Sequence, residues 1–344
     1  MAKGKVEQKI DLIKTVNPTL QKIHKYRGEL NFFENKFEIY SRDTDVSSSY
    51  IFDNLNDAYE LKKLLGKGAF GIVKKGKILK TGAKVAVKIQ NITGLIEYHF
   101  KTIGDIEQAR DYVESQIEVE DALLKLTGQH ISSIRRKNLK NQEKHYSIMK
   151  YIEGDQLKNI FSDLSFQEKI QVFIELTRQV QFLHDNNYLH LDIWRENILF
   201  NGQAILHDYG CSAKLLNGTF VSKLKGSHIP PEIIESQKKL VPCMYGKFSD
   251  VYALGMTFYE LIYEDYYDYT LDKTFDDFIK RYTAYYMAVV DVLNSKEDLL
   301  AQLITKMITP NISQRILVID ILSGLNLIKE KFNPEVNATH KSTL

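Results

Sequence analysis

His190-Leu191-Asp192-Ile193-Trp194-Arg195-Glu196-Asn197-Ile198-Leu199-Phe200 is the stretch of this chain from which the rest can be understood. It sets a carboxylate, Asp192, five positions before a carboxamide, Asn197, and an acidic tripeptide, Asp208-Tyr209-Gly210, follows shortly after. A carboxylate can orient and deprotonate an attacking hydroxyl, and hard oxygens suit the Mg²⁺ ions that neutralise charge on phosphates. The spacing points to phosphoryl transfer, with Asp192 as base and Asn197 and Asp208 as metal ligands. Trp194 is the oddity, an uncharged indole amid groups that would handle phosphate.

Outward from this stretch, residues 166–184 place Ile170, Phe173, Ile174, Val180 and Leu183 on one face of a helix, a buried scaffold for the loop that follows. Near the other end of the chain the periodicity is that of strands. Residues 59–65, 71–79 and 84–90 form three short runs separated by Gly66-Lys67-Gly68-Ala69-Phe70-Gly71 and Lys80-Thr81-Gly82, an antiparallel meander. A charged helical stretch follows over about 104–126, then strand-like runs near Ser133 and over 145–152, after which helices dominate to about residue 332. The expected fold is α+β and bilobed: a small antiparallel sheet with one main helix over 59–150, then a larger helical part over 151–332. Residues 1–58 read as an extension with a helix over 5–27 broken near Pro18, and residues 333–344 as a polar, frayed tail. The Tyr-rich segment 263–270 is expected to be a surface loop at the base of the helical part.

Two further patterns carry chemistry. The glycines of Leu65-Gly66-Lys67-Gly68-Ala69-Phe70-Gly71-Ile72-Val73 would let a strand-turn-strand backbone approach phosphates with no Cβ in the way. Alone, such a hairpin is as often a plain turn; a dinucleotide-binding fingerprint is excluded because a strand, not a helix, follows Gly71. Val85-Ala86-Val87-Lys88 puts an ammonium inside an apolar run, where it is costly unless paired with phosphate or carboxylate. One hairpin after the glycines, Lys88 is expected to grip the α and β phosphates and to pair with a helical glutamate. Glu120 is the first choice of partner, with Glu118 and Glu114 close by.

Taken in order, these segments resemble the protein kinase superfamily over residues 59–331, most of the chain. Residues 66–73 resemble its Gly-rich loop, Val85 to Lys88 its Val-Ala-Ile-Lys strand, His190 to Asn197 its His-Arg-Asp loop, and Asp208-Tyr209-Gly210 its Asp-Phe-Gly motif. Pro230-Pro231-Glu232 is similar to Ala-Pro-Glu, Asp250-Val251-Tyr252-Ala253-Leu254-Gly255 to the start of the buried helix that supports the catalytic loop, and Arg315 to the late arginine that pairs with Glu232. Seven short matches in the family's order leave little room for coincidence. The resemblance implies ATP as cofactor with Mg²⁺, or Mn²⁺ in its place. It also implies a gatekeeper and hinge at Met149, Lys150, Tyr151, Ile152, Glu153 and Gly154 whose backbone hydrogen-bonds adenine, with Val73, Ala86 and Leu199 against the ring. His190 and Tyr209 would stack in an internal spine, and the Tyr209 hydroxyl would need a partner. Cys211 reads as a small apolar filler rather than a reactive thiol.

The departures from the family are as specific. Leu191 replaces the arginine that anchors a phosphorylated activation loop, so activity is expected not to depend on phosphorylation between Asp208 and Glu232, at Thr219 or Ser222. Trp194 replaces the lysine that contacts the transferring phosphate in Ser/Thr kinases, and Arg195 and Lys225 are the candidate cations to stand in for it. Kinase-like small-molecule phosphotransferases also lack that lysine, whereas Lys225-Gly226-Ser227-His228-Ile229-Pro230-Pro231-Glu232 resembles a shortened peptide-docking loop that those enzymes lack. The expected activity is phosphorylation of Ser/Thr hydroxyls on a protein substrate. The rivals are a pseudokinase scaffold and a small-molecule phosphotransferase.

Composition sets the outer bounds. With 344 residues the chain can bury a large core, and with 44% hydrophobic and 26% charged residues it resembles ordinary globular proteins. A net charge of +2 supplies no global attraction to nucleic acid, and none is expected as partner. Two cysteines, Cys211 and Cys243, make no disulfide framework and suit a reducing cytoplasm. The charged N-terminus lacks the apolar core of a signal peptide and no run is apolar enough for a membrane span, although a specialised secretion machine would need no such signal. The extension is expected to bind a partner or regulate, or to be a simple leader; sequence does not fix the oligomeric state.

Overall fold

The computed structural model of the protein describes residues 49–52, 58–68, 71–137, 141–215, 226–239 and 245–332. The chain divides into two compact units after Ile152, two residues beyond the division expected from sequence.

In the first unit six antiparallel strands form one sheet in the order β1-β2-β3-β4-β6-β5: β1 Ser49–Phe52, β2 Ala58–Gly68, β3 Gly71–Ile78, β4 Lys84–Asn91, β5 His130–Lys137 and β6 Glu143–Lys150. Alternation along β4 explains its place at the centre. Val85 and Val87 point into a core with Tyr59, Leu61, Ile134, Tyr146 and Ile148, while Ala86 and Lys88 take the opposite face. Gly71 has φ +147° and a Cβ there would stand 2.3 Å from the Ile89 carbonyl oxygen, so only glycine lets β3 begin so close to β4.

Two helices follow rather than the single one expected: α1 (Ile92–Ile103) and α2 (Ile106–Leu126). The strand runs into α1 with no intervening turn, because the Asn91 side chain accepts from the Gly94 amide and starts a helix at once. Gly104, at φ +81°, ends it, and Asp105 restarts the chain by capping the amides of Glu107 and Gln108, both at 2.9 Å. Ile92 and Ile96 of α1 then pack on Ala109, Val113 and Ile117 of α2.

The second unit holds six further helices among its described residues: α3 Phe166–Asp185, α4 Pro231–Lys239, α5 Lys247–Tyr263, α6 Phe275–Asn294, α7 Leu299–Met307 and α8 Val318–Lys331. A capping box between Ser165 and Glu168 fixes the start of α3. The face foreseen from sequence is buried, with Phe173 stacked 3.8 Å from Phe258 of α5. Two small sheets flank the central loop: β10-β9-β7 (Ala204–Leu206, Ile198–Phe200, Asp155–Gln156) and β11-β8 (Ala213–Lys214, Tyr188–Leu189). Since β8 ends at Leu189 and β9 begins at Ile198, the segment between is pinned at both ends.

The Tyr-rich segment is not simply a surface loop. Tyr266 and Tyr269 are exposed, but Tyr267 is buried and its hydroxyl donates to Asp272 Oδ1 at 2.9 Å. No helix among the described residues is long and apolar enough to cross a membrane. The helix expected over 5–27, most of the extension, Ala69 and Phe70, Thr219, Ser222, Lys225, Cys243 and the tail from 333 lie outside the described residues.

Candidate active site

The site residues of the first unit lie across four neighbouring strands, β2, β3, β4 and β6. Gly66 pairs with Val73, Val73 with Lys88, and Ala86 with Met149, so Val73, Ala86, Lys88 and Met149 share one face of the sheet. Lys88 Nζ donates to Glu120 Oε1 at 2.6 Å, with both residues buried. Gln90 Nε2 approaches the other carboxylate oxygen at 3.3 Å. Of the three glutamates considered for Lys88, Glu118 is exposed and Glu114 is engaged by Arg135, which also draws its pKa down through hydrogen bonding and charge despite partial burial. Leu65 is exposed. Around Gly66 and Gly68 no atom lies within 4 Å of an added Cβ, so packing does not demand glycine there as it does at Gly71.

In the expected hinge, Met149 and Ile152 are half-buried, the Tyr151 ring carries Lys75 Nζ 3.9 Å from its centroid, and the Lys150 amide donates to the Gln129 carbonyl at 2.9 Å. That amide is already used, which removes it from the donors expected for a nucleobase.

In the second unit the loop from His190 hangs on Asp250, in the first turn of α5. Its Oδ2 accepts from the His190 amide and from His184 Nε2, each at 2.9 Å, and its Oδ1 accepts from the Leu191 amide at 2.8 Å. Burial pushes the Asp250 pKa upward, but these hydrogen bonds and the nearby histidines overcome it, and the net shift is below the usual carboxylate range. The anchor also holds Leu191 at φ +61°, a left-handed conformation that a leucine adopts at a cost of about 1–3 kcal/mol. Downstream, Thr257 Oγ1 of α5 reaches the Ile193 carbonyl at 3.2 Å.

So held, Asp192 projects its carboxylate toward two donors. Asn197 Nδ2 donates to Asp192 Oδ2 at 2.7 Å and to the Asp192 carbonyl at 2.9 Å, while His228 Nε2 lies 3.0 Å from Oδ1. Both bonds from Asn197 use its nitrogen, so its oxygen is the atom it has to offer a cation. Asp208 is exposed, sits at φ +64° and accepts from the Gly210 amide at 3.2 Å. No three or more His, Cys, Asp or Glu cluster around a metal position among the described residues, so a cation here would rely on Asn197, Asp208 and phosphate oxygens. Leu199, expected against adenine, is half-buried on β9 opposite Gln156.

The surrounding groups are structural. His190 is fully buried, and burial lowers its pKa against the opposing charges of Asp250, Asp192 and Asp208; the neutral ring accepts the Asp192 amide on Nδ1 at 3.3 Å. Tyr209 packs 5.5 Å from it, and the Tyr209 hydroxyl donates to the Leu206 carbonyl at 3.4 Å. Arg315 grips Glu232 with both Nη atoms, at 2.8 and 3.1 Å.

Arg195 does not stand in for the absent lysine. Its Nη1 donates to buried Glu260 Oε2 at 2.6 Å and its guanidinium lies 4.4 Å over the Tyr266 ring. The charge is spent inside the fold. Trp194 stacks on His228 at 5.3 Å and meets Tyr269 edge-on at 5.9 Å. His228 was not foreseen as a partner of Asp192. It lies 36 residues away in the chain, and no local pattern marks it.

The protein kinase domain family matches residues 59–324. The chain is 31% identical to an Aurora kinase of Yarrowia lipolytica over 60% of this chain and 52% of that one. It is 28% identical to an Aurora kinase of Eremothecium gossypii, over 59% of this chain and 52% of that one. To NUAK family SNF1-like kinase 1 of Homo sapiens it is 30% identical, over 61% of this chain and 30% of that one. It thus spans about half or less of the length of these relatives.

Proposed function

The chain belongs to the protein kinase domain family, and from that premise we propose that it transfers the γ-phosphoryl group of ATP to serine or threonine hydroxyls of a protein substrate. The observation that carries this is the Asp192 carboxylate, held by Asn197 on a loop whose backbone is fastened to Asp250. Asp192 takes the hydroxyl proton as general base. Asn197 and Asp208 would hold Mg²⁺, or Mn²⁺, through their side-chain oxygens, and the ion would offset charge on the ATP phosphates. Lys88, kept in place by Glu120, pairs with the α and β phosphates. The open surroundings of Gly66 and Gly68 suit a backbone that must come close to phosphate oxygens. Leu191 brings no guanidinium for a phosphorylated activation loop, so turnover proceeds without phosphorylation at Thr219 or Ser222. The relatives named above are called kinases, which supports phosphoryl transfer as the reaction.

A second reading, a nucleotide-binding scaffold without turnover, draws on one observation: both carboxylate oxygens of Asp192 already accept hydrogen bonds. Each oxygen keeps a further lone pair, which leaves room for a substrate hydroxyl. The test is transfer of labelled phosphate from ATP to a generic protein substrate, to the chain itself and to a panel of small alcohols, comparing wild type with Asp192→Ala. Label on phosphoserine or phosphothreonine that falls by about 10³-fold or more in the variant supports a protein kinase. Equal labelling in the two proteins, with ATP and Mg²⁺ still raising the melting temperature, favours the scaffold. Label on the alcohols alone moves the assignment to a small-molecule acceptor.

A further inference from the structure

We propose that His228 is the positioning residue of Asp192, seated on the indole of Trp194 where Ser/Thr kinases carry a lysine. This rests on the phosphotransfer proposed above and names a residue that it did not include. His228 Nε2 stands 3.0 Å from Asp192 Oδ1, opposite the Asn197 amide at Oδ2, so the two donors bracket the carboxylate and fix its plane. The acceptor is a carboxylate, so the imidazole donates its Nε2 proton whether it is neutral or charged. A donor bonded to a charged acceptor is among the stronger hydrogen bonds, and this one is nearly enclosed, with His228 only 5% exposed.

Three separate segments build the seat for this ring. Trp194 stacks against it at 5.3 Å and 27°, and Tyr269 meets the indole edge-on at 5.9 Å. Gly226 supplies the third wall: at φ +150°, an added Cβ would stand 2.6 Å from Cε1 and 2.8 Å from Nδ1 of the imidazole. Any other residue at 226 would push the ring off Asp192. The backbone of the turn is tied as well, since the Tyr282 hydroxyl lies 3.4 Å from the Ser227 carbonyl. Charges nearby are accounted for: Glu260 faces the imidazole but is paired with Arg195.

With Nδ1 shut against Gly226, His228 cannot itself meet a substrate hydroxyl. It acts through Asp192, and the hydroxyl proton remains on Asp192 rather than passing to the ring. Trp194 is then explained as the platform for the histidine that a lysine could not provide.

The test measures kcat and KM for ATP in the full chain for wild type, His228→Phe, His228→Gln, Trp194→Lys with His228→Phe, and Asp192→Ala, with thermal melting of each. Phenylalanine keeps the stacking and removes the donor; glutamine places an N–H near the position of Nε2. His228→Phe is expected to lower kcat by ~10–100-fold with KM for ATP changed less than ~3-fold, and His228→Gln to recover most of that loss. Adding Trp194→Lys to His228→Phe is expected to restore at least ~5-fold, since a lysine at 194 would supply the contact to the transferring phosphate that the indole cannot. Wild-type turnover in His228→Phe overturns the inference, as do equal losses in the Phe and Gln variants that follow their melting temperatures. A wild type no more active than Asp192→Ala overturns the phosphotransfer proposal, and this inference with it.

Discussion

Helix α5 buries a carboxylate near each end, and the two behave oppositely. Asp250 in the first turn has its pKa below the usual range, whereas Glu260 near the end has its pKa raised. Burial acts upward on both. At Asp250 it is overcome by three donors, from His184 and the amides of His190 and Leu191, and the helix N-terminus adds its own positive field. At Glu260 burial prevails over the charge of Arg195, a hydrogen bond from Ser227 and the charge of His228. Burial is thus not a property that fixes charge; the count and aim of donors decide it. The same helix therefore carries one acid that fastens the loop from His190 and a second whose pKa burial keeps raised despite Arg195 and Ser227.

The comparison is broken most severely by Asp250→Ala, which strands three buried donors and frees Leu191 from its left-handed backbone. A loss of about 3–5 kcal/mol in urea unfolding is expected, with phosphotransfer abolished in whatever remains folded. A loss no greater than for Glu260→Gln would show the two carboxylates to be equivalent. Arg195→Met should be milder, about 1–3 kcal/mol, because burial raises the Glu260 pKa and the acid can take up a proton when its partner leaves. Its turnover per folded molecule should stay within ~10-fold of wild type, since Arg195 faces Glu260 rather than the substrate; a larger drop would return Arg195 to the list of phosphate-handling cations.

Stability measured against pH sharpens the contrast. Relative to Asp250→Asn, wild type should hold its advantage above about pH 3.9 and lose it as acid carries the pH down through the lowered folded value. Relative to Glu260→Gln, wild type should do best below about pH 4.3 and lose ground as pH rises through the raised folded value. Slopes of the same sign in the two series would contradict the opposite shifts. Between the two acids lies Thr257, whose hydroxyl reaches the Ile193 carbonyl at 3.2 Å and the Ala253 carbonyl at 2.8 Å. Thr257→Val should cost only about 0.5–1.5 kcal/mol by thermal melting, because α5 holds the loop chiefly through Asp250.

Much of this was legible from residue order. Lys88 in its apolar run called for a buried counter-charge, and Glu120 is its contact at 2.6 Å. Glu232 and Arg315, 83 residues apart, were paired by resemblance and lie 2.8 Å apart. Helix α1 was missed because β4 leads into it without glycine or proline, and the signal that starts it is one asparagine side chain. By sequence Arg195 is a candidate for handling phosphate, alongside Lys225, because its partner Glu260 is 65 positions away on a helix whose inward face looks apolar.

The sequence by itself determined the succession from a sheet-rich to a helical part, though not α1 or β1, and the identity of the groups that could serve as base and metal ligands. These follow from short-range periodicity and from which side chains possess the needed oxygens and nitrogens. Only the tertiary structure decided which charges are used up and which remain for chemistry. Arg195 is paired with Glu260, the Lys150 amide donates to the Gln129 carbonyl, and Asp192 is bracketed by Asn197 and His228. Side-chain hydrogen bonds of about 3 Å between residues distant in the chain leave no periodic trace, because each is set by how separate elements pack together.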